Sequence, residues 1–174
     1  MSVIDAIRER RSIRKYSGEH ISDDDINIIV EAGLLAPSGR NIKPQELIIV
    51  RDQEKLKLLA GAREHGSDML KGADCAIVVI ADQSATDVWT EDCSIAMAYM
   101  HLSADALGIG SCWIQGRLRT ASDGSSTEDY IRKLLDIPDQ YLLEAILSLG
   151  CPAEHPQGRE LTPELLAKVH YEKF

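Results

Sequence analysis

The sequence predicts a single α+β domain in which helices cover a sheet of short strands. The chain has 174 residues, of which 44% are hydrophobic and 27% charged, and this is enough to bury one core. Segments with apolar residues at helical spacing alternate with short segments that are continuously apolar. Because neither G-x-G-x-x-G nor G-x-x-x-x-G-K follows a predicted strand, a doubly wound parallel sheet with a phosphate loop is not favoured.

The first predicted helix runs from Val3 to Arg11. Ser2 and Asp5 have the spacing of a capping box at its start. A basic cluster, Arg10-Arg11-Ser12-Ile13-Arg14-Lys15-Tyr16, lies at the end of this helix and beyond it. Cations at a helix C-terminus complement the helix dipole, but those beyond the end need another explanation. Because arginine forks and a serine hydroxyl suit phosphate oxygens, the cluster is either a solvated basic surface or a binding site for one compact anion.

A helix, a loop and a strand follow. Ser22 can cap a helix whose first turn holds three aspartates, and this helix should end before Pro37. Residues 36–41, Ala-Pro-Ser-Gly-Arg-Asn, are turn-forming types and predict a loop. A strand is then predicted from Leu47 to Val50.

The middle of the chain predicts a helix from Glu54 to Gly61 and a buried strand from Ala76 to Ala81, with no clear pattern over residues 63–72. Residues 87–107 predict a central buried helix, because apolar residues occupy most of its circumference. A strand from Gly110 to Ile114 follows. Three polar residues interrupt the long helix: Asp92, His101 and Asp105. They are interpreted as residues with polar partners or as residues at the rim of the buried surface. For His101, contact with a ligand is the alternative.

The C-terminal part begins with a polar loop over residues 115–126, which is predicted to be the most mobile segment. Thr127 can cap a helix that runs to Leu135. A strand is predicted from Leu142 to Leu149, and Gly150-Cys151-Pro152 then turns the chain. Thr162-Pro163 begins a last short helix.

Composition excludes several classes of function. A net charge of −9 and a pI near 5.0 argue against nucleic-acid binding, and a polyanion-binding protein remains only as an alternative. No long apolar run and no signal peptide are seen, so a cytoplasmic protein without a membrane span is expected. The four cysteines, Cys75, Cys93, Cys112 and Cys151, form no C-x-x-C pair. This predicts structural thiols and no metal site. A reactive thiol at Cys112 is the alternative.

Four segments resemble motifs of the nitroreductase family of flavoproteins, in the same order and over essentially the whole chain. They are Arg10-Arg11-Ser12-Ile13-Arg14, the segment from Ala36 to Pro44, the segment from Ala106 to Trp113, and Gly150-Cys151-Pro152-Ala153-Glu154. The resemblance implies a nitroreductase-like fold, with a central mixed or antiparallel sheet flanked by helices. It also implies an intertwined homodimer that binds FMN between its subunits.

The same resemblance implies roles for individual residues. Arg10, Arg11, Ser12 and Arg14 would hold the FMN phosphate and ribityl chain and reach the pyrimidine edge of the flavin, and Arg159 would return to the phosphate. Arg14 would stabilise the negative charge of the reduced flavin near N1 and C2=O, so no side-chain acid or base is assigned.

Two further groups complete the implied site. The partner subunit would supply three residues from the loop before the first strand: Ser38, Gly39 and Asn41. One flavin face would be lined by three consecutive residues: Trp113, Ile114 and Gln115. Trp89, Tyr99 and the loop over 115–126 are candidates for the pocket walls. Lys43, Gln45 and Cys151 depart from the residues usual in the family.

The implied activity is that of an FMN-dependent oxidoreductase. It would use NAD(P)H to reduce small electrophilic acceptors, such as nitroaromatics or quinones, by ping-pong hydride transfer through flavin N5. One alternative is a related enzyme for another reduction, such as reductive dehalogenation or enone reduction. A second is a non-catalytic flavin carrier or redox sensor.

Overall fold

A four-stranded antiparallel sheet lies at the centre of the protein in the computed structural model, which describes residues 2–174. The strands have the spatial order β1-β2-β4-β3, and every neighbouring pair is antiparallel. The predicted α+β class and the antiparallel form of the sheet are therefore confirmed. The strands are β1 (Gln45–Val50), β2 (Cys75–Asp82), β3 (Gly110–Gln115) and β4 (Tyr141–Gly150).

Six α-helices are present in residues 2–174, with short 3-10 turns at 39–41, 60–62 and 68–72. The two later 3-10 turns occupy much of the region for which the sequence showed no pattern. The helices are α1 (Val3–Glu9), α2 (Asp23–Leu35), α3 (Gln53–Leu59), α4 (Trp89–Ala106), α5 (Thr127–Leu135) and α6 (Pro163–Leu166).

The predicted caps are confirmed at two helices and wrong at one. Ser2 and Asp5 form the capping box of α1, and Ser22 caps α2. The predicted start of α6 is also confirmed, and Thr162 caps that helix. At α5 the cap is Ser126, whose hydroxyl accepts a hydrogen bond from the Asp129 amide at 3.0 Å. Thr127, predicted to be the cap, instead donates its hydroxyl to the Ala62 carbonyl at 2.6 Å.

Two hydrophobic clusters fill the spaces on either side of the sheet. One face packs against α2 and α4, with buried side chains such as Ile77, Met97 and Leu147. The other packs against α3 and α5, with Leu56 and Ile146 among its members. Because both faces are covered, β2 is continuously apolar, as its sequence indicated.

The edge of β3 is covered by the segment that follows α1. This helix ends at Glu9, two residues earlier than predicted, because Arg10 adopts a non-helical conformation with φ −55° and ψ 124°. Ser12 then forms a parallel bridge with Ser111, and the Ile13 amide donates to the Ser111 carbonyl at 2.9 Å. Pairing along β3 therefore replaces the last half-turn of the predicted helix and fixes the basic cluster beside the sheet.

The cysteines are free thiols, and all but the half-buried Cys151 are buried, as expected of structural residues. Residues 115–126 form hydrogen-bonded turns after β3, including one from the Thr127 amide to the Arg119 carbonyl at 2.9 Å, and their mobility stays a prediction. Within residues 2–174, no helix is both long and apolar enough to cross a bilayer.

Candidate functional site

Four arginines gather beside the N-terminal edge of β3, and we call Arg10, Arg11, Arg14 and Arg159 the arginine group. Three of them follow α1, and the fourth is brought to them by the chain beyond β4. The Arg159 amide donates to the Arg8 carbonyl at 2.7 Å, and the Arg11 guanidinium donates to the carbonyl of Gln157. The structure therefore brings together residues that are nearly 150 positions apart in the sequence.

The arginine group has no opposing charge in contact with it. Among residues 2–174, no carboxylate oxygen lies within 4.0 Å of a nitrogen of these four side chains. Arg10 is half-buried, and burial followed by the nearby charge of Arg159 lowers the pKa of its guanidinium. Two like charges held together, one of them partly desolvated, are unfavourable unless an anion binds between or beside them. This arrangement suits a phosphate group.

Ser12 and Arg14 extend the group along β3. Ser12 is half-buried through its pairing with Ser111, and Arg14 is exposed, with its Nη1 donating to the Ser12 carbonyl at 3.3 Å. Burial raises the pKa of the nearby Cys112 thiol. Because a reactive thiol needs a lowered pKa, a nucleophilic role for Cys112 is not favoured.

Trp113 and Gln115, two of the β3 residues that were predicted to line a flavin, are joined by a hydrogen bond. Trp113 is half-buried, and its indole N–H donates to Oε1 of Gln115 at 2.9 Å. The Gln115 amide in turn donates to the Arg117 carbonyl at 3.3 Å. Ile114 lies between them in the strand but is buried among the side chains of the α3 and α5 face. Only the backbone of Ile114 is therefore positioned to contact a ligand at this surface.

His101 on α4 packs against β3. Its Nδ1 is 2.8 Å from the Ser111 hydroxyl, and its ring lies parallel to that of Trp113, with 6.5 Å between the ring centroids. Burial, and secondarily the charge of Arg10, lowers the pKa of His101 to about 4. It is a neutral, partnered residue near pH 7, in agreement with the first interpretation of its sequence position.

The loop with Ser38, Gly39 and Asn41 is fixed elsewhere on the molecule. The Gly39 amide donates to Asp92 Oδ1 on α4 at 2.8 Å, and the Ser38 hydroxyl accepts from the Lys43 amide at 2.9 Å. Asn41 has a φ of 57°, which asparagine tolerates better than most residues. In the described chain, no hydrogen bond or ion pair joins this loop to the arginine group.

Trp89 and Tyr99, the two candidates for pocket walls, differ in their surroundings. Trp89 begins α4 and packs against the core, which accounts for it without a ligand. Tyr99 is exposed and lines a groove of about 400 Å³ between α1 and α4, together with Val3, Leu102 and Ala106.

Comparison with known proteins assigns this arrangement to a family. The model of the Nitroreductase family matches residues 7–65 and 58–151. The chain belongs to the nitroreductase family. A relative from Archaeoglobus fulgidus, which carries the provisional name NADH dehydrogenase/NAD(P)H nitroreductase, is 39% identical over 97% of this chain and 96% of its own.

Two solved structures extend this finding. An FMN-dependent nitroreductase from Clostridium difficile R20291 is 41% identical, has a TM-score of 0.94, and matches over 98% of this chain and 99% of its own. A provisionally named nitroreductase from Desulfovibrio desulfuricans, solved in complex with FMN, is 29% identical with a TM-score of 0.79, over 100% of this chain and 98% of its own. These values confirm the predicted nitroreductase-like fold.

Glu144 and Arg117 of this nitroreductase-family protein form an ion pair at the end of β3 that was not identified from the sequence. Glu144 on β4 is buried, and its carboxylate lies 3.5 Å from the Nε atom of Arg117. The signal in the sequence was a single charge inside the apolar strand Leu-Leu-Glu-Ala-Ile-Leu. Such a charge requires a partner, but the sequence does not identify it.

Proposed function

We propose that this nitroreductase-family protein is an FMN-dependent oxidoreductase that uses NAD(P)H to reduce small electrophilic acceptors, such as nitroaromatics or quinones. The observation that carries the proposal is the arginine group, four guanidinium groups gathered without a carboxylate in contact. FMN offers a dianionic phosphate that would compensate the charges of Arg10, Arg11 and Arg159, and a pyrimidine edge for Arg14. The names of the relatives, which include FMN-dependent nitroreductase and NAD(P)H nitroreductase, support the same cofactor and electron donor.

The described residues fit FMN at both of its ends. Arg10 and Arg159 would hold the phosphate, because their charges lie close together and Arg10 is half-buried. Arg11 and Ser12 would bind between the phosphate and the ribityl chain. Trp113 and Gln115 would lie against one face of the ring system, with the backbone of Ile114 between them.

The bound FMN would supply the hydride chemistry between NAD(P)H and the acceptor. The residues of the protein would bind and orient the FMN and stabilise its negative charge. Arg14 would place a guanidinium at the pyrimidine edge, where a fixed positive charge lowers the energy of the reduced cofactor. Its hydrogen bond to the Ser12 carbonyl, at 3.3 Å, ties it to the segment that pairs with β3. No side-chain acid or base is needed for this role.

The proposal includes a homodimer in which Ser38, Gly39 and Asn41 reach the FMN of the partner subunit. Two features support it. In the subunit, this loop has no contact with the arginine group and is tied to α4 instead. In addition, large apolar side chains are exposed on the chain after β4 and on α1, namely Leu161, Leu165, Leu166, Val169, Tyr171, Phe174, Val3, Ile4 and Ile7. Exposed apolar surface of this extent marks a region that binds another chain.

The activity is tested on the purified protein. We expect it to retain or take up FMN, and to oxidise NADH or NADPH when a nitroaromatic or a quinone is present. A protein that binds no FMN and oxidises neither nucleotide with any acceptor would refute the proposal. Turnover of a halophenol without turnover of nitroaromatics or quinones would instead support the reductive dehalogenase.

The shared site is tested by complementation between two variants. Arg10→Gln removes a phosphate contact, and Asn41→Gly removes the amide while keeping a residue suited to positive φ. In randomly mixed dimers from equal co-expression, about a quarter of all sites would carry neither change. We therefore expect partial recovery of tight FMN binding in the mixture. No recovery, with both variants dimeric and folded, would show that each site lies within one subunit.

A further inference from the structure

Arg117 lies two residues beyond Gln115, where β3 ends. Its Nε atom is 3.5 Å from Oε2 of Glu144, and 38% of its side chain is exposed. Within residues 2–174, its two terminal guanidinium nitrogens have no hydrogen-bond partner. Arg117 is therefore anchored at its base while its planar end stays free to bind an anion.

Glu144 is built into the fold as the anchor. The register of β2 and β4 shifts between Val79 and Ile80, which leaves Glu144 without an opposite residue. Its carbonyl accepts the amides of Gly116 at 3.2 Å and Arg117 at 2.9 Å, and its Oε1 accepts from Ser94 at 3.3 Å. The residue is only 3% exposed, and its Oε2 has no hydrogen-bond partner in the described chain. Because a buried carboxylate is costly without a counter-ion, the ion pair with Arg117 is its main compensation.

A polar cleft of about 300 Å³ opens directly after Arg117. It is lined by Arg63, Glu64, His65, Leu118, Arg119 and Thr120. The Glu64 amide donates to the Thr120 carbonyl at 3.0 Å, which holds the two loops together. In residues 2–174, neither Arg63 nor Arg119 has a carboxylate within 4.0 Å. On a chain of net charge −9, this is a second concentration of arginines without counter-ions, separate from the arginine group.

Leu118 shows that the turn between these arginines is held under strain. Its φ is 57°, in the left-handed region, and its side chain is 79% exposed. A non-glycine residue in this region is strained, and an exposed leucine offers no burial in return. Strained backbone of this kind concentrates at ligand-binding sites.

We propose that Arg117, positioned by Glu144, binds the pyrophosphate of the nicotinamide dinucleotide, with Arg63 and Arg119 lining the path of the nucleotide away from the flavin. This inference rests on the proposed function, in which the nicotinamide stacks on the flavin face that Trp113 and Gln115 leave open, with Gln115 at the nearby edge of the ring system. The rest of the donor carries two negative charges that most of this acidic surface would repel. The chain leads from Gln115 to Arg117 and into the cleft, with the Gln115 amide bonded to the Arg117 carbonyl. The pyrophosphate is common to NADH and NADPH, so both donors are expected to use the site.

The test compares two hydride donors in the reduction of bound FMN, measured by anaerobic stopped-flow. One donor is NADH, and the other is N-benzyl-dihydronicotinamide, which lacks any phosphate. Arg117→Gln should raise the apparent Kd for NADH about tenfold, as expected when a charge-assisted hydrogen bond is lost. Reduction by the neutral donor should be unchanged. Lys55→Gln removes an exposed cation of α3 outside the cleft and should leave both donors unaffected.

Glu144→Gln tests the positioning role. Glutamine keeps the size of the side chain and an oxygen for Ser94, but it removes the charge that holds Arg117. We expect a higher Kd for NADH with unchanged reduction by the neutral donor, and less than additive effects when it is combined with Arg117→Gln. A residue needed only for folding would impair both donors equally.

Three results would overturn the inference. They are equal effects of Arg117→Gln on both donors, no effect on either, and an effect confined to NADPH, which would point to its additional phosphate. Failure of the proposed function looks different, because the unmodified protein would then bind no FMN, or its bound FMN would not be reduced by NADH or NADPH.

Discussion

Replacing Arg10 by glutamine should separate cofactor binding from stability, because the two respond in opposite directions. Arg10 is half-buried, has no carboxylate within 4.0 Å in the described chain, and lies near Arg159. A hydrogen bond to a charged group contributes about 1.5–3 kcal/mol, so its loss should weaken FMN binding about 10- to 150-fold. Without FMN, removing Arg10 relieves repulsion from Arg159, and the apoprotein should be as stable as before or slightly more stable.

The assay uses FMN and riboflavin, which differ by the phosphate alone. Quenching of flavin fluorescence gives Kd for both ligands, and thermal unfolding of the apoprotein gives stability. Arg10→Gln should lower the affinity for FMN but leave that for riboflavin nearly unchanged. Arg8→Gln is the matched control, because Arg8 is an exposed arginine on α1 two residues earlier.

Two outcomes would refute this reasoning. If riboflavin and FMN lose affinity equally, Arg10 does not contact the phosphate. If the apoprotein is strongly destabilised while FMN affinity is retained, Arg10 is a structural residue, and the arginine group is only a solvated basic surface.

Three further predictions concern catalysis, pH and packing. Arg14→Gln should slow anaerobic reduction of bound FMN about tenfold, with a smaller effect on FMN affinity. The folded-state pKa of His101, about 4, lies below its ordinary value of 6.5, so the unfolded chain binds the proton more tightly and stability falls between pH 6.5 and 4; His101→Asn should flatten this dependence in urea unfolding of the apoprotein. A Cβ at Gly150 would lie 2.5 Å from Tyr16 Cδ1, so Gly150→Ala should cost about 1–3 kcal/mol of unfolding free energy, whereas Gly72→Ala, with open space, should cost less than about 0.5.

Local chemistry explains why much of the fold could be predicted. The caps of α1 and α2 follow from serines placed before acidic residues, and β2 follows from an apolar run that both faces of the sheet bury. These signals lie within a few residues of the elements that they specify. All four strands were therefore found, with their ends within two residues.

Competition between local and distant partners explains the errors. Arg10 and Arg11 have good helix propensity, yet the chain leaves α1 to pair with Ser111 at the edge of β3. Ser126 and Thr127 are both suitable caps, and the choice is decided by the Ala62 carbonyl, to which Thr127 donates. Neither partner can be identified from the neighbouring sequence.

The candidate site shows the same division. The basic cluster was visible as a pattern, and the family resemblance implied that Arg159 would join it, but only the fold shows that no carboxylate oxygen in residues 2–174 lies within 4.0 Å of these guanidinium nitrogens. The anchoring of Arg117 by Glu144 depends on a shift in register between β2 and β4, which is a property of the sheet. A lone charge in an apolar strand is the feature by which such an anchor can be suspected.

The most direct test of the proposed function is the visible absorption spectrum of the FMN-loaded protein, recorded without oxygen before and after adding NADH or NADPH. If the protein is an NAD(P)H oxidoreductase, the oxidised flavin band bleaches rapidly and returns when a quinone or nitroaromatic is added. A spectrum that stays unchanged with both nucleotides, while the flavin remains tightly bound, would contradict this function and identify a flavin carrier or sensor.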